Sequence, residues 1–136
     1  MTVRGVKEFD IPKILDERGN LSFIEKGADL NFDIRRVYWI YDVPGGEIRG
    51  GHAFKVQKEI IIALSGSFDV VLHDGINAGR FHLNRSYKGL YVPEMCWRHI
   101  ENFSTNAVCL ILASTFYSKE DYIYDFETFV NLTQVK

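Results

Sequence analysis

The stretch RGGHAFKVQKE, residues 49–59, sets one imidazole among cationic and flexible neighbours. Arg49 and Lys55 flank His52, Gly50 and Gly51 precede it, and Glu59 follows. Histidine titrates near neutrality, so it can both accept and return a proton. In a pocket drained of water, a neutral imidazole is equipped to remove a proton beside a carbonyl. Arginine's planar fork grips phosphate oxygens in pairs, and lysine supplies a mobile point charge. The pattern points to proton transfer on an anionic carbonyl compound. A tyrosine could complement the imidazole by donating to an enolate oxygen or relaying a proton. Tyr38 and Trp39, in the run RVYWIY just before the histidine segment, compete for that place. Only one of two adjacent strand residues can face a cavity, and sequence alone leaves the choice open.

The remaining reactive side chains invite plainer readings. His82 shares its phase with Arg80 and Asn84 and is expected to face solvent, and His73 ends a strand before Asp74-Gly75 as a turn residue. Cys96 and Cys109 belong to no CxxC pair and read as buried, reduced thiols of a cytoplasmic protein. The N-x-S/T triplets at Asn84, Asn102 and Asn131 carry no meaning in that compartment. The chain has 136 residues, 46% hydrophobic and 25% charged, which suits a single domain with a sizeable core over residues 1–136. A formal net charge of −2 gives no general attraction for nucleic acid or an anionic membrane. No signal-peptide pattern is visible, and no apolar stretch approaches the roughly 20 residues of a membrane span.

Short strands must position these groups. RRVYWIYDVP reads as a strand stopped by Pro44 and Gly45-Gly46, and EIIIALSGSFDVVLHDG as two strands joined at Ser65-Gly66-Ser67. RFHLN, GLYVP, RHIENF and AVCLILAS follow, each rich in β-branched or aromatic residues. After Ser118, an expected N-cap with Asp121 three residues on, Tyr122, Phe126 and Phe129 fall on one helical face. The expectation is an all-β sandwich or barrel of roughly eight to ten strands with a helical tail. Exposed edges would invite pairing between subunits, so a homodimer is expected.

The spacing around His52 resembles the cupin superfamily. Its first motif, G-x5-H-x-H-x4-E-x6-G, is matched in spacing by Gly46, His52, Phe54, Glu59 and Gly66. The second, P-x-G-x2-H-x3-N, falls on Pro93, Met95, Arg98 and Asn102. The resemblance implies a cupin fold, a double-stranded β-helix or jelly-roll barrel, with a short C-terminal helix. In metal-binding cupins the two histidines, the glutamate and the later histidine surround one ion. Here Phe54 and Arg98 take two of those places. Phenylalanine has no lone pair to donate and arginine stays protonated, so neither metal nor other cofactor is expected. If strand parity holds, His52, Phe54 and Arg98 point inward together.

A closer similarity is to the cupin-fold dTDP-4-keto-6-deoxyhexose 3,4-ketoisomerases, the WxcM-like family. It runs through DERG at 16–19, RRVYWIYDVP at 35–44, RGGHA at 49–53 and ALSGSFDVVLHDG at 63–75. GLYVP, WRHIENFS, LILAS and DYIYDFETF continue it in order. The resemblance implies a dTDP-linked 4-keto-6-deoxy sugar as substrate and a place in deoxyaminosugar biosynthesis. It makes His52 the base that moves a proton from C3 through an enediol, with Tyr38 as its complement. Arg49, Lys55, Arg98 and Arg18 become the substrate-binding cations, Arg18 across a dimer interface. The chain departs from the family at Phe54, where a second histidine is usual, and at Tyr124, where arginine often stands. A dTDP-sugar 3,5-epimerase and a non-catalytic sugar-nucleotide-binding cupin are the alternatives.

Overall fold

A computed structural model describes residues 2–27 and 30–134. In it the apolar runs become the strands β1 (Lys7–Asp10), β2 (Lys13–Ile14), β3 (Leu21–Ser22), β4 (Arg36–Ile40), β5 (Arg49–Phe54) and β6 (Glu59–Ser65). After the Gly66 turn come β7 (Phe68–His73), β8 (Ala78–Leu83), β9 (Lys88–Val92), β10 (Trp97–Glu101), β11 (Val108–Ala113) and β12 (Tyr122–Ile123), then the helix α1 (Phe126–Gln134). Two five-stranded antiparallel sheets, in the orders β1-β9-β6-β11-β4 and β12-β5-β10-β7-β8, face each other, and β2-β3 forms a separate hairpin. This is the jelly-roll barrel that the cupin resemblance implied.

The strand patterns follow from what each face meets. Ile61, Ala63, Leu90, Cys109 and Ile111 of the first sheet interdigitate with Phe68, Val70, Leu72 and Ile100 of the second. The other face of the first sheet is also covered, because Ile60, Ile62 and Leu112 pack against Ile11, Leu30 and Phe32 from the N-terminal segment. That double burial explains why EIIIA is a continuous apolar run. The second sheet keeps a wet outer face. There Asp69 accepts hydrogen bonds from Arg80 (2.8 Å) and Asn102 (3.2 Å) and pairs with His82 Nδ1 (2.6 Å).

The C-terminal tail corrects the sequence reading. Ser118 makes no side-chain cap and opens only a single 3₁₀ turn, Lys119–Asp121. Tyr122 is then a strand residue, opposite Phe54 of β5, with Ile123 opposite Ala53. The helix starts later, capped by Asp125, whose Oδ2 accepts from the Thr128 N–H at 2.9 Å. Its apolar face seats Phe129 beside Ala53 and Ile123, with Trp97 and Val130 against them. Strand pairing at the barrel edge outweighs the helical spacing of three aromatics.

Candidate active site

The site grows from strand parity. On β4, Arg36 and Tyr38 align through β11 with Glu59 and Ile61 of β6, whose side chains are buried. Tyr38 therefore faces the barrel interior, while Trp39 is 57% exposed on the outside, which resolves the choice the sequence left open. On β5, His52 pairs with Arg98 of β10, and Arg49 pairs with Ile100. Residues three apart on a regular strand point to opposite faces, yet here both oppose inward-facing partners. An irregularity at Gly50, with φ of +69°, absorbs the extra residue. A β-carbon at Gly50 would also run into the Arg98 guanidinium.

Behind the imidazole lies a closed ion-pair network. Arg98 Nε donates to Glu59 Oε1 at 2.9 Å, and Nη2 donates to Glu59 Oε2 and to the Tyr38 hydroxyl, both at 3.1 Å. Its Nη1 donates to the Gly50 carbonyl at 3.2 Å. The Tyr38 hydroxyl in turn donates to Glu59 Oε2 at 2.5 Å, and Gln57 Nε2 adds a 2.9 Å bond to the same oxygen. Arg98 and Glu59 are each 1% exposed. Burial opposes the charge of Arg98, but Glu59 at contact distance more than restores it and raises its pKa. Burial and the Glu59 charge together push the Tyr38 phenol far above its ordinary range.

Two expectations change here. Arg98 presents no free fork to a substrate, because its donors are turned to Glu59, Tyr38 and Gly50. Tyr38 has committed its proton to Glu59. Within this chain both belong to the network behind the imidazole. Phenyl and guanidinium groups stand at two ligand positions, and both Glu59 oxygens are engaged. The residues present do not fit a cupin metal centre, and no group of three His, Cys, Asp or Glu side chains among the described residues could hold an ion.

His52 sits in an aromatic cage. Its ring centroid lies 4.8 Å from Phe54 and 4.9 Å from Tyr122, both edge-on, and Tyr124 stacks on Tyr122 at 5.3 Å. Burial, then the charges of Arg98 and Arg36, hold the imidazole pKa down at about 3. The imidazole is therefore neutral across the working range, and its buried Nδ1 has no hydrogen-bond partner among the described residues. The neutral ring keeps a lone pair that can take up a proton.

The other predicted cations lie further out. Arg49 is exposed at the start of β5, lining a cavity of about 410 Å³ with Trp39, Asp42 and Glu47. Lys55 is exposed just past β5, beside Thr115, Ser118 and Glu120 around a cavity of about 370 Å³. Arg18 is held by Asp16 in its own loop through two side-chain bonds of 3.0 and 2.8 Å, with its side chain 89% exposed. A cavity of about 650 Å³ lies elsewhere, between the β2-β3 hairpin and the outer face of β6 and β11. It is lined mainly by apolar residues and lacks a histidine or carboxylate. Cys96 and Cys109 are buried free thiols whose pKa is pushed up to about 12 by burial, so they stay inert.

Sequence reasoning missed Arg36 and Tyr122. Arg36 Nη2 donates to Gln57 Oε1 at 3.0 Å and to the Tyr122 hydroxyl at 3.5 Å, and its guanidinium lies 4.7 Å from the Tyr38 ring centre. Its spacing of two from Tyr38 was a usable signal. Tyr122 was hidden by its helical spacing to Phe126 and Phe129.

Comparison with known proteins places this geometry. The WxcM-like, C-terminal family model matches residues 4–134. The chain belongs to that family. It is 38% identical over 123 residues to the TDP-4-oxo-6-deoxy-alpha-D-glucose-3,4-oxoisomerase of Aneurinibacillus thermoaerophilus, covering 90% of this chain and 88% of the relative. A 3,4-ketoisomerase from Helicobacter canadensis superposes with a TM-score of 0.93 at 36% identity, covering 96% of this chain and 98% of that one. A histidine-to-asparagine variant of the 3,4-ketoisomerase QdtA from Thermoanaerobacterium thermosaccharolyticum, in complex with TDP-4-keto-6-deoxyglucose, gives 0.94 at 31% identity, covering 98% and 96%. Family and fold agree: this WxcM-like chain is a cupin-fold isomerase.

Proposed function

We propose that this protein is a TDP-sugar 3,4-ketoisomerase that converts TDP-4-keto-6-deoxyglucose to its 3-keto isomer by histidine-mediated proton transfer without a metal. The observation that carries this is the neutral His52 imidazole in a cage between Phe54 and Tyr122. His52 takes the C3 proton, and the C3–H electrons form a C3–C4 double bond while O4 takes up the carbonyl pair. A proton passes from O3 to O4 in the enediolate. Protonation at C4 then closes the carbonyl at C3. Arg98 and Arg36 disfavour a protonated resting imidazole and favour negative charge on the bound sugar.

Lys55, exposed just past the end of β5, serves the diphosphate, and Arg49, exposed at the start of that strand, holds the ligand or stabilises its developing negative charge. Arg18 completes the site from a second copy, because within one chain its partner is Asp16 in its own loop. A 3-keto product is the electrophile that an amine-transferring enzyme requires, which supports a place in deoxyaminosugar synthesis.

The test is a proton NMR time course with TDP-4-keto-6-deoxyglucose in deuterated buffer. Loss of the C3 proton with growth of a 3-keto sugar is expected, and both should vanish in His52→Asn. Unchanged turnover in that variant would remove His52 from the chemistry.

A further inference from the structure

We propose that Tyr122 is the acid that returns the proton to C4, occupying the role left vacant by Phe54; this rests on the ketoisomerase reading above. A phenyl ring at position 54 has no proton to give. Register supplies the replacement. Tyr122 lies directly opposite Phe54 across the β5-β12 pair, and directly opposed residues share a face. His52, two residues before Phe54, shares that face as well. The Tyr122 ring is 4.6 Å from Phe54 and 4.9 Å from His52.

The hydrogen bonding distinguishes the two tyrosines of the site. The Tyr38 proton is committed to Glu59. The Tyr122 oxygen accepts from Arg36 Nη2, and its own O–H has no acceptor among the described residues. A phenol holds its proton at neutral pH and can donate it. Arg36 then stands beside the phenolate that donation creates, braced by Gln57 and the Tyr38 ring, with its buried Nε still unpartnered. Charge and protons balance. His52 ends the first step as imidazolium, and Tyr122 ends the second as phenolate, having given its proton to C4. The imidazolium then releases its proton to solvent and the phenolate takes one from solvent, which restores both groups.

The decisive experiment separates exchange at C3 from product formation in Tyr122→Phe, with melting temperature and TDP binding measured alongside. If Tyr122 is the C4 acid, the variant still washes deuterium into C3 of recovered substrate at a rate within about threefold of wild type. Product formation falls by about 100-fold or more, the range expected for loss of a general acid. Substrate deuterated at C3 should give wild-type product with solvent hydrogen at C4. Retained turnover in the variant would overturn the role. So would joint loss of exchange and turnover in a folded, TDP-binding variant, or transfer of the C3 deuterium to C4. A wild type that neither exchanges nor isomerises is a separate result: it removes the reaction itself, and this role with it.

Discussion

At the scale of single residues, charge decides the site. His52 is ordinarily half-protonated near pH 6.5, but here burial and two guanidinium groups hold it neutral down to about pH 3. The kcat/KM profile should therefore lack an acid limb near pH 6.5, since that ratio reports the free enzyme. The sign for stability is the reverse of that for an ion-paired histidine. Between pH 6.5 and 3 the unfolded chain binds a proton at this position that the folded chain does not, so stability falls as pH drops through that window. His52→Gln should flatten that dependence, by at most about 1.4 kcal/mol per pH unit in urea unfolding curves. Glu59 and Arg98 behave differently. Removing one partner leaves the other charged and buried, so Arg98→Met should cost about 3–5 kcal/mol. Equal stability of Arg98→Met and wild type would contradict the pairing seen here.

Elements carry the residues to these positions. The irregularity at Gly50 brings Arg49 and His52 to one face, and it exists because glycine takes a left-handed backbone there. Gly50→Ala should lose about 1–2 kcal/mol from backbone strain alone. Its larger effect should be on turnover, because the added methyl displaces the Arg98 guanidinium. At the other end, Asp125 caps α1 and so fixes where β12 stops. Asp125→Ala should cost about 1 kcal/mol, read as a lower melting temperature. These elements also show how much was legible in advance. The strand-turn-strand run of β6 and β7 about Gly66 was clear because apolar residues and turn chemistry are local signals, although the two strands enter opposite sheets. The two-residue strands β2, β3 and β12 were not, because so short a segment has no period and is specified only by its partner.

For the whole molecule, the question is what covers the apolar edge at β4 and the hairpin region beside it. Val37, Trp39 and Tyr41 are exposed on and beside β4, an edge strand, and Leu15, Leu21 and Phe23 of the hairpin region are exposed too. Such an apolar edge supports the proposed homodimer. Trp39→Asp should shift the sedimentation coefficient to that of a monomer. If Arg18 completes the neighbouring site, activity should fall with it. A wild-type protein that sediments as a monomer while fully active would exclude that arrangement.

The sequence by itself determined the strand-rich class, the inward histidine, and the two ligand positions turned into phenylalanine and arginine. Each is written within one segment, as period, turn chemistry or motif spacing. Only the tertiary structure decided what the charges do. Arg98 meets Glu59 across 39 residues, and Arg36 meets Tyr122 across 86. Contacts of that separation depend on sheet order and register, which no local pattern encodes. A buried cation also looks the same in sequence whether it faces a substrate or a carboxylate. Closure of the barrel put Glu59 against Arg98 and buried His52 beside the Arg98 and Arg36 guanidinium groups, and burial first, then those charges, keeps the imidazole neutral.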